Sequence, residues 1–368
     1  MIDAMSARSN PVVLIIGPFP PPVHGGAVVT EHFARFLSRS VQTVRCNVSP
    51  GRLNKNLPYH LTRMLRVACA IFRILRYASR SPKHAYLVAD GGLGLAYNIA
   101  VCSIARLSGY RIIVHHHCSG YIERKSILAA TLIYTAGKSA LHIVLCNAME
   151  QRLRNQYPRL ERTAILSNVA FISFANNEPA ENENGILCLG QLGNLIPEKG
   201  IDTSLELVRT LNRRGIVSRL VIAGPSISPR TVGSIDQARS ELGPLLEFRG
   251  PVYGEDKRKF FDDVDVFVFP TQYRHESQPL VVLESLAHGV PVLTFDRGCI
   301  ASDVADAGMT VSLGDDFITA VFPILQKWAA DRAALNRAKA AAMNRAKQLS
   351  LEAGRSLDQI LKEFNIDQ

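Results

Sequence analysis

The sequence predicts an α/β fold made of two halves, each built around a parallel β-sheet. Short apolar runs alternate with helical segments along nearly the whole chain, which is the pattern of βαβ units. The alternation is interrupted once, by a polar segment at residues 173–184 that is typical of a linker. With 368 residues, the chain is long enough for two domains with a core each.

The composition is that of a globular protein with a basic surface. Hydrophobic residues make up 47% and charged residues 20%, and 42 Lys and Arg outnumber 32 Asp and Glu. This excess favours an anionic partner, such as a phosphorylated substrate, an acidic lipid surface or nucleic acid. The basic residues are not interleaved with aromatics in a recognisable nucleic-acid module, so we expect no nucleic-acid partner.

The sequence predicts neither a signal peptide nor a membrane-spanning helix. Residues 1–10 lack an apolar signal core, and no apolar run reaches the length of about 18 residues that a spanning helix needs. The seven cysteines are scattered, form no Cys-x-x-Cys pair and fall mostly in apolar runs. We therefore expect free thiols, not disulfides or a zinc site, and a cytoplasmic location.

The first half opens with a buried strand at residues 11–17, a proline-rich loop and a helix at about 27–39. Gly25 and Gly26 precede this helix, where glycines let the backbone approach a ligand closely. Their spacing excludes the G-x-G-x-x-G dinucleotide fingerprint. The alternative interpretation is a tight strand-to-helix turn that binds nothing.

A basic amphipathic stretch follows at residues 52–80. Its arginines stand among apolar residues at helical spacing, at positions 63, 66, 73, 76 and 80. Such a helix can lie on an anionic membrane surface. A surface helix with one face in the core fits the pattern as well.

Further strands are predicted at residues 85–90, 111–115, 141–146 and 163–168. The second of these ends in three consecutive histidines, His115, His116 and His117. Successive strand residues face opposite sides, so the three cannot bind one metal ion, and no nearby pattern supplies other ligands. His117 is a candidate hydrogen-bond donor to a sugar or phosphate, although strand-end histidines often bind nothing.

The second half repeats the pattern, with strands predicted at 185–190, 219–225, 246–252, 264–270 and 290–295 and helix throughout 317–364. The loop after its first strand carries Lys199 and Gly200 ahead of a helix at 204–214. A helix N-terminus preceded by a lysine is a common phosphate site.

The most informative segment of this half carries two glutamates eight positions apart, Glu276 and Glu284. Pro279 suits the first position of a helix and Gly289 suits its C-terminal stop. The preceding loop falls at the carboxyl end of a strand, where open α/β sheets bind ligands. The pair then either grips a phosphorylated ligand with hydroxyls at both ends, or flanks a surface helix as two solvated carboxylates.

Several blocks together resemble a known family. GNLIPEKGID, RLVIAGP, FRGPVYGEDKRKFFDDVDVFVFPT and HESQPLVVLESLAHGVPVLTF follow in the order seen in the C-terminal half of retaining GT-B glycosyltransferases of family four. The two glutamates match the E-x7-E signature of that family, and PFPPPVHGGA resembles its N-terminal glycine loop. The resemblance covers nearly the whole chain and is most specific at about 185–300.

The resemblance implies a GT-B fold, in which two Rossmann-like parallel-sheet domains face each other across a cleft. Residues 1–175 would form the acceptor-side domain and residues 185–345 the nucleotide-sugar-binding domain. A C-terminal helix at 346–368 would pack back toward the N-terminal domain.

The resemblance also implies roles for single residues. Glu276 would face the donor sugar, Lys199 would neutralise the departing diphosphate, and His117 would contact the sugar in transfer. Glu284 would bind the ribose hydroxyls. The remaining donor-binding residues would be Gln278, Pro279, Leu280, Asn194, Gly25, Gly26 and Val252. Neither a metal nor a cofactor is implied beyond the nucleotide sugar itself.

The sequence departs from the family pattern at two places. Asn194 stands where the family often has an arginine, so Lys199 carries more of the diphosphate charge or another cation, such as Arg249 or Arg274, contributes. The usual Glu-Gly-Phe-Gly run is Glu276-Ser277-Gln278-Pro279 here. The identity of the donor sugar therefore stays open.

The function expected from these features is transfer of a sugar from a nucleotide-sugar donor, with retention of configuration. The acceptor class would be a cell-envelope polysaccharide or a lipid-linked oligosaccharide, reached at the inner face of the cell membrane through residues 61–80. The alternatives are a sugar-nucleotide epimerase or a phosphorylase on the same fold, and a non-catalytic nucleotide-sugar-binding protein.

Overall fold

The computed structural model describes residues 11–51, 57–174, 185–226 and 228–364. The chain forms two compact units. Unit 1 comprises Met1–Phe171 and Ala353–Gln368, and unit 2 comprises Ile172–Glu352. Most of the predicted linker at 173–184 lies outside the described residues.

Unit 1 is built on a six-stranded parallel sheet. Its strands are β1 (Val12–Gly17), β2 (Gln42–Asn47), β3 (Lys83–Ala89), β4 (Arg111–His116), β5 (Leu141–Val144) and β6 (Arg162–Ile165). The spatial order is β2-β1-β3-β4-β5-β6, with every neighbouring pair parallel. Its helices are α1 (Gly25–Leu37), α2 (Leu57–Arg76), α3 (Gly94–Leu107), α4 (Gly120–Glu123), α5 (Ile127–Ala136) and α6 (Asn147–Gln156).

Unit 2 has a second six-stranded parallel sheet. Its strands are β7 (Leu187–Leu192), β8 (Ser218–Ala223), β9 (Leu246–Phe248), β10 (Val266–Phe269), β11 (Val292–Phe295) and β12 (Gly308–Val311). The spatial order is β12-β11-β10-β7-β8-β9, again parallel throughout. Its helices are α7 (Ile201–Arg213), α8 (Pro229–Leu242), α9 (Gly254–Asp262), α10 (Leu280–Ala287), α11 (Ile300–Val304), α12 (Phe317–Ala330) and most of α13 (Arg332–Glu363).

The predicted fold class of two Rossmann-like parallel-sheet domains is confirmed. The apolar runs became strands because central parallel strands are buried on both faces, as all six residues of β1 and of β7 are. The helical prediction for 317–364 is also correct, apart from a break at Asp331. This residue ends α12, and its side chain accepts a hydrogen bond from the Ala334 N–H at 3.1 Å, which caps the start of α13.

The last turns of α13 belong to the core of unit 1. Four of the buried residues from this part of the chain are Leu357, Ile360, Leu361 and Phe364. The Phe364 ring lies 6.3 Å from that of Phe33 and 5.4 Å from that of His84, measured between centroids. The chain therefore returns to unit 1 after it completes unit 2.

The prediction of free thiols is confirmed for Cys46, Cys69, Cys102, Cys118 and Cys188. It is wrong for Cys146 and Cys299, each of which is disulfide-bonded. Among the residues that the structure describes, no helix combines the length and apolar character needed to cross a bilayer.

Candidate functional site

The sheet of unit 2 reverses its strand order at β7. The chain proceeds from β7 to β8 and β9 on one side, and it returns with β10 to the other side of β7. In open α/β sheets, a crevice opens at the carboxyl ends of the two strands that flank such a reversal. The loops that leave β7 and β10 at this point carry Lys199 and Glu276.

Backbone contacts join these two loops. Lys199 ends a short 3-10 helix, Pro197–Lys199, and Gly200 follows in the left-handed region at φ 78°. A Cβ at Gly200 would lie 2.2 Å from the carbonyl oxygen of Pro270, so only glycine fits beside the loop after β10. The Gln272 N–H also donates to the carbonyl of Glu198 at 2.8 Å. The position of Lys199 is thus fixed relative to the loop that carries Glu276.

Lys199 and Glu276, both predicted as catalytic residues, form an ion pair between Nζ and Oε2. Glu276 is only 8% exposed, and the hydroxyl of Thr271 donates to the same carboxylate oxygen at 3.3 Å. The Lys199 ammonium also lies 5.1 Å from the ring centroid of Phe269 and 5.2 Å from that of Tyr273. Aromatic faces at this distance stabilise a cation. The result is an ordered positive charge at the strand ends, next to a buried carboxylate.

Glu284 lies within α10, and its two carboxylate oxygens have different surroundings. Oε1 accepts a hydrogen bond from Lys257 Nζ at 2.7 Å. Oε2 is buried and has no hydrogen-bond partner among the described residues, and the same holds for the hydroxyl of Ser277. Buried polar atoms are nearly always hydrogen-bonded. One such atom lies in the loop before α10 and the other within α10, and together they indicate a place for the hydrogen-bonding groups of a ligand.

Pro279 does not occupy the first helical position, which corrects the prediction. It is the N-cap, with φ −68° and ψ 126°, and Leu280 is the first residue of α10. The extended ψ of Pro279 shows that this residue still belongs to the turn before α10 and not to the helix. Gly289 follows the C-cap residue His288 at φ 69°, as expected of a glycine stop signal.

The turn from Glu276 to Pro279 is braced by the segment after β11. Gln278 Nε2 donates to both carboxylate oxygens of Asp303, at 2.9 and 3.1 Å. The Cys299 N–H donates to the carbonyl of Ser277 at 2.7 Å. At Gly298, φ is 56° and an added Cβ would lie 2.2 Å from that same carbonyl oxygen. Burial raises the pKa of the Asp303 carboxyl to about 7.

Two further predicted donor-binding residues lie in loops at the same edge of the sheet. Asn194 follows β7, and its carbonyl accepts a hydrogen bond from the Ile196 N–H at 3.0 Å. Val252 is buried in the segment after β9.

The two cations suggested as substitutes for the family arginine differ. Arg249 forms ion pairs with Glu247 at 2.7 Å and with Asp263 at 2.8 Å, so its charge is already compensated. Arg274 is exposed. The two ion pairs of Arg249 argue against a role for this residue in binding the diphosphate.

In unit 1, Gly25 and Gly26 are the first two residues of α1, which therefore begins two residues earlier than predicted. The N-cap residue is His24, whose Nδ1 accepts a hydrogen bond from the Ala27 N–H at 3.3 Å. No heavy atom lies within 4 Å of a Cβ built on Gly25. The space beside the backbone of Gly25 is therefore not filled by other residues of the described chain. Close approach of a ligand to this backbone stays a prediction.

The three consecutive histidines have separate environments at the end of β4. His115 pairs through Nδ1 with the hydroxyl of Tyr86. His116 contacts Tyr121 Oη through Nδ1 and His142 Nδ1 through Nε2, both at 2.9 Å. His117 lies one residue beyond the strand, with its ring centroid 3.9 Å from that of His115.

His117, like its neighbour His115, has a buried ring nitrogen that the described residues leave without a hydrogen-bond partner. Its Nε2 is buried and has no hydrogen-bond partner in the described part of the chain. Burial lowers the pKa of His117 to about 4, so the imidazole is neutral at physiological pH. Within the described ranges, no group of three or more His, Cys, Asp or Glu side chains is arranged to hold a metal ion.

Sequence reasoning missed Lys257, Thr271 and Asp303. Lys257 lies in a run of charged residues on α9 that looks like a solvated helix face. Thr271 ends the block FRGPVYGEDKRKFFDDVDVFVFPT, but that pattern gave its hydroxyl no role. Asp303 has no motif around it, and only the fold brings it to Gln278 across 25 positions. The local pattern that locates Glu276, a polar loop after an apolar strand, carries no information about such partners.

Comparison with known proteins gives a consistent result. Residues 183–327 match the family model described as "Glycosyl transferases group 1". A GDP-mannose-dependent alpha-mannosyltransferase of Mycobacterium tuberculosis is 34% identical over 155 residues, which is 41% of this chain and 37% of that protein. The O-antigen biosynthesis glycosyltransferase WclY of Escherichia coli is 28% identical over 142 residues, covering 36% of this chain and 37% of that protein.

The fold resembles that of solved structures over almost its full length. Sucrose-phosphate synthase of Thermosynechococcus elongatus superposes with a TM-score of 0.70 over 96% of this chain and 100% of the other, at 16% identity. The two curated relatives match over a smaller part of their sequences: this chain spans 37% of the length of each.

Proposed function

Since residues 183–327 match the model of the glycosyl transferases group 1 family, we propose that the chain transfers a sugar from a nucleotide-sugar donor to a glycan or lipid-linked acceptor. The observation that carries this proposal is the set of charged groups at the strand reversal of unit 2. Lys199 and Glu276 form an ordered pair there, and Glu284 has a buried carboxylate oxygen without a partner in the described part of the chain.

Each group of the set matches one part of a nucleotide sugar. The Glu284 Oε2 atom accepts a hydrogen bond from a ribose hydroxyl, because this buried oxygen has no other donor in the described part of the chain. The diphosphate lies by Lys199 and the N-terminus of α10, whose first turn has N–H groups without intrahelical acceptors. Gln278, Pro279 and Leu280 surround that turn, while Asn194 and Val252 complete the donor site. Gly25 and Gly26 contribute backbone contacts.

The chemistry in this proposal is electrostatic. Breaking the bond between sugar and phosphate leaves positive charge on the sugar ring and negative charge on the diphosphate. Glu276 stabilises the former and Lys199 the latter, and preorganised charges of this kind contribute strongly to catalysis. His117, neutral and with an unused Nε2, contacts the sugar. We propose that transfer retains configuration and uses neither a metal nor a cofactor.

The relatives suggest which substrates to try first. The mannosyltransferase relative is named for GDP-mannose, and WclY is named for O-antigen biosynthesis. GDP-mannose is therefore the first donor to test, and a cell-envelope glycan or lipid-linked oligosaccharide is the acceptor class. We further propose that the protein works in the cytoplasm at the inner face of the membrane, with contact through residues 61–80.

The test combines a donor screen with two substitutions. Thermal shift with GDP, UDP and their sugars identifies the donor, because a bound ligand raises the apparent stability of the folded state. With that donor, Lys199→Ala and Glu276→Ala should each reduce transfer about 100- to 1,000-fold, in line with other preorganised electrostatic groups. Lys259→Ala, an exposed lysine on α9, is the control and should leave the rate unchanged.

The same assay separates the alternatives by their products. An epimerase converts the donor without an acceptor, and a phosphorylase requires inorganic phosphate. Nucleotide binding without hydrolysis or transfer would favour a non-catalytic binding protein. Wild-type turnover in both alanine variants would remove the roles assigned to Lys199 and Glu276.

A further inference from the structure

Helix α2 has two apolar faces, of which the fold uses one. Arg63, Val67, Ala70 and Ile74 are buried and point into unit 1. On a separate side of the helix, six large apolar residues are between 53% and 72% exposed, namely Leu57, Leu61, Met64, Leu65, Phe72 and Leu75. Their spacing of three, four and seven positions places them in one stripe, roughly 27 Å long at ~1.5 Å per residue.

An exposed stripe of this size requires an explanation. Single exposed leucines are ordinary, but contiguous apolar patches on soluble proteins mark interaction sites. Among the described residues, no helix is suited to cross a membrane, so α2 does not span one. The stripe therefore contacts a partner along its surface.

The charged residues of the segment that contains α2 are all basic. No Asp or Glu occurs between Glu31 and Asp90, a segment that contains all of α2. Arg66 and Arg76 form no ion pair with the part of the chain that the structure describes, and Arg73 and Arg76 are exposed. In contrast, Arg63 is buried and pairs with Asp90. Within the described residues, Arg66 and Arg76 thus have no ion pair comparable to that of Arg63.

A groove lies between α2 and the edge strand β2. Its volume is about 950 Å³, and its lining includes Leu65 and Phe72 together with the arginines Arg45, Arg73 and Arg76. Arg73 donates to the carbonyl of Arg45, which joins the two sides of the groove. An apolar lining with guanidinium groups at the same site fits a molecule that has both an apolar part and a phosphate.

We infer that the outer face of α2 docks on an anionic lipid bilayer, with the apolar stripe entering the interface and Arg73 and Arg76 binding lipid phosphates. Arg45 is excluded from this role, because it forms an ion pair with Glu31 at 3.0 Å. A helix with apolar and basic surfaces of this kind lies in the plane of a membrane interface. Long arginine side chains reach phosphates while their stems remain in the apolar layer.

Charge also argues against a second copy of this chain as the occupant. A two-fold contact through α2 would bring the same basic surface from both copies together, without an acidic residue in the segment to compensate. An anionic lipid surface supplies the missing negative charge. This inference rests on the membrane contact proposed above for residues 61–80, and it does not depend on the transferase activity.

The test is co-sedimentation of the full chain with vesicles of phosphatidylcholine, with and without phosphatidylglycerol. We expect binding to the anionic vesicles that weakens as salt is raised, because salt screens exposed charges. The combined variant Leu61→Ser, Leu65→Ser and Phe72→Ser should bind at least tenfold more weakly. Arg73→Gln with Arg76→Gln should lose most of the preference for anionic over neutral vesicles.

Matched controls keep the interpretation specific. Leu107→Ser replaces a leucine that is 84% exposed at the end of α3, and Arg39→Gln replaces an exposed arginine after α1. Both should bind like the wild type. Equal vesicle binding by the α2 variants would overturn the inference. Self-association that the serine variant abolishes, without vesicle binding by the wild type, would also overturn it and identify a protein interface instead.

Failure here is distinguishable from failure of the proposed function. Vesicle binding is measured without a donor, and donor hydrolysis is measured without vesicles. The α2 variants should hydrolyse a soluble donor at the wild-type rate, because none of the substituted residues belongs to the charged set at the strand ends of unit 2.

Discussion

At the residue scale, Glu284 is the side chain whose environment most clearly calls for a ligand. One carboxylate oxygen is bound by Lys257 at 2.7 Å, and the other is buried without a partner within the described ranges. Glu284→Gln keeps the size of the side chain but removes its charge and one acceptor. Since hydrogen bonds to charged groups contribute about 1.5–3 kcal/mol, we expect the Kd for the nucleoside diphosphate to rise about 10- to 100-fold.

Isothermal titration calorimetry with the diphosphate that stabilises the protein best checks this prediction. Glu247→Gln is the matched control, because Glu247 is also an ion-paired glutamate of unit 2 but contacts Arg249 at the surface. It should leave the Kd unchanged. Equal affinities for wild type and Glu284→Gln would show that the unpaired oxygen does not bind the nucleotide.

The residues of the site were predictable to different degrees. Glu276 and Glu284 follow from a local pattern, and Lys199 follows from a lysine before a helix. Their chemical environment was not predictable, since the partners Thr271 and Lys257 are fixed by how loops and helices pack. The ion pair between Lys199 and Glu276 joins positions 77 apart, and no local rule connects them.

At the scale of elements, the turn before α10 depends on a buried carboxyl of α11. Asp303 accepts the amide of Gln278, and burial raises the pKa of its carboxyl from 3.8 to about 7. The folded state therefore binds this proton more tightly than the unfolded state. The stability from this group is fully present below about pH 4, falls between about pH 4 and 7, and is lost above pH 7.

This linkage predicts the behaviour of Asp303→Asn. The asparagine still accepts the Gln278 amide but does not ionise, so the stability of the variant should rise relative to wild type between about pH 4 and 7. The pKa shift corresponds to a relative change on the order of 4 kcal/mol over that range. Thermal denaturation of both proteins at each pH measures it, because effects of other titrating groups cancel in the difference. A difference in Tm that is constant across this range would contradict the prediction.

The same scale shows which elements a sequence reveals. The buried strands β1, β3, β7, β8 and β10 appear as continuous apolar runs, because helices cover both faces of a parallel sheet. β2 did not appear, since it is an edge strand in which only Cys46 is buried. α11 is equally obscure, because five residues are too few for a helical period to emerge. The position of a strand in the sheet thus decides whether the sequence reveals it, and for a helix the length decides.

At the scale of the whole molecule, the two units carry different surfaces. The charged set around Lys199, Glu276 and Glu284 belongs to unit 2, whereas the segment without acidic residues between Glu31 and Asp90 belongs to unit 1. The net charge of +10 is therefore unevenly placed along the chain. This division allows docking and donor binding to be tested by separate sets of variants.

The C-terminal part of α13 supplies a test of how the chain divides. Phe364 is fully buried in the core of unit 1, next to Phe33, although it follows unit 2 in sequence. Phe364→Ala removes a buried ring and should destabilise unit 1 by about 3–5 kcal/mol. The matched variant Phe317→Ala removes a ring from the core of unit 2. Hydrogen exchange resolves local stability along a chain, so it reports on both units at once.

We expect Phe364→Ala to speed amide exchange in β1 and β3 while β7 and β8 keep their wild-type protection. Phe317→Ala should produce the reverse pattern. The reason is that a lost ring leaves a cavity only in the core that surrounds it, and distant sites contribute independently to stability. Loss of protection in both sheets from either substitution would mean that the two units unfold as one cooperative body, and that α13 transmits the loss from one core to the other.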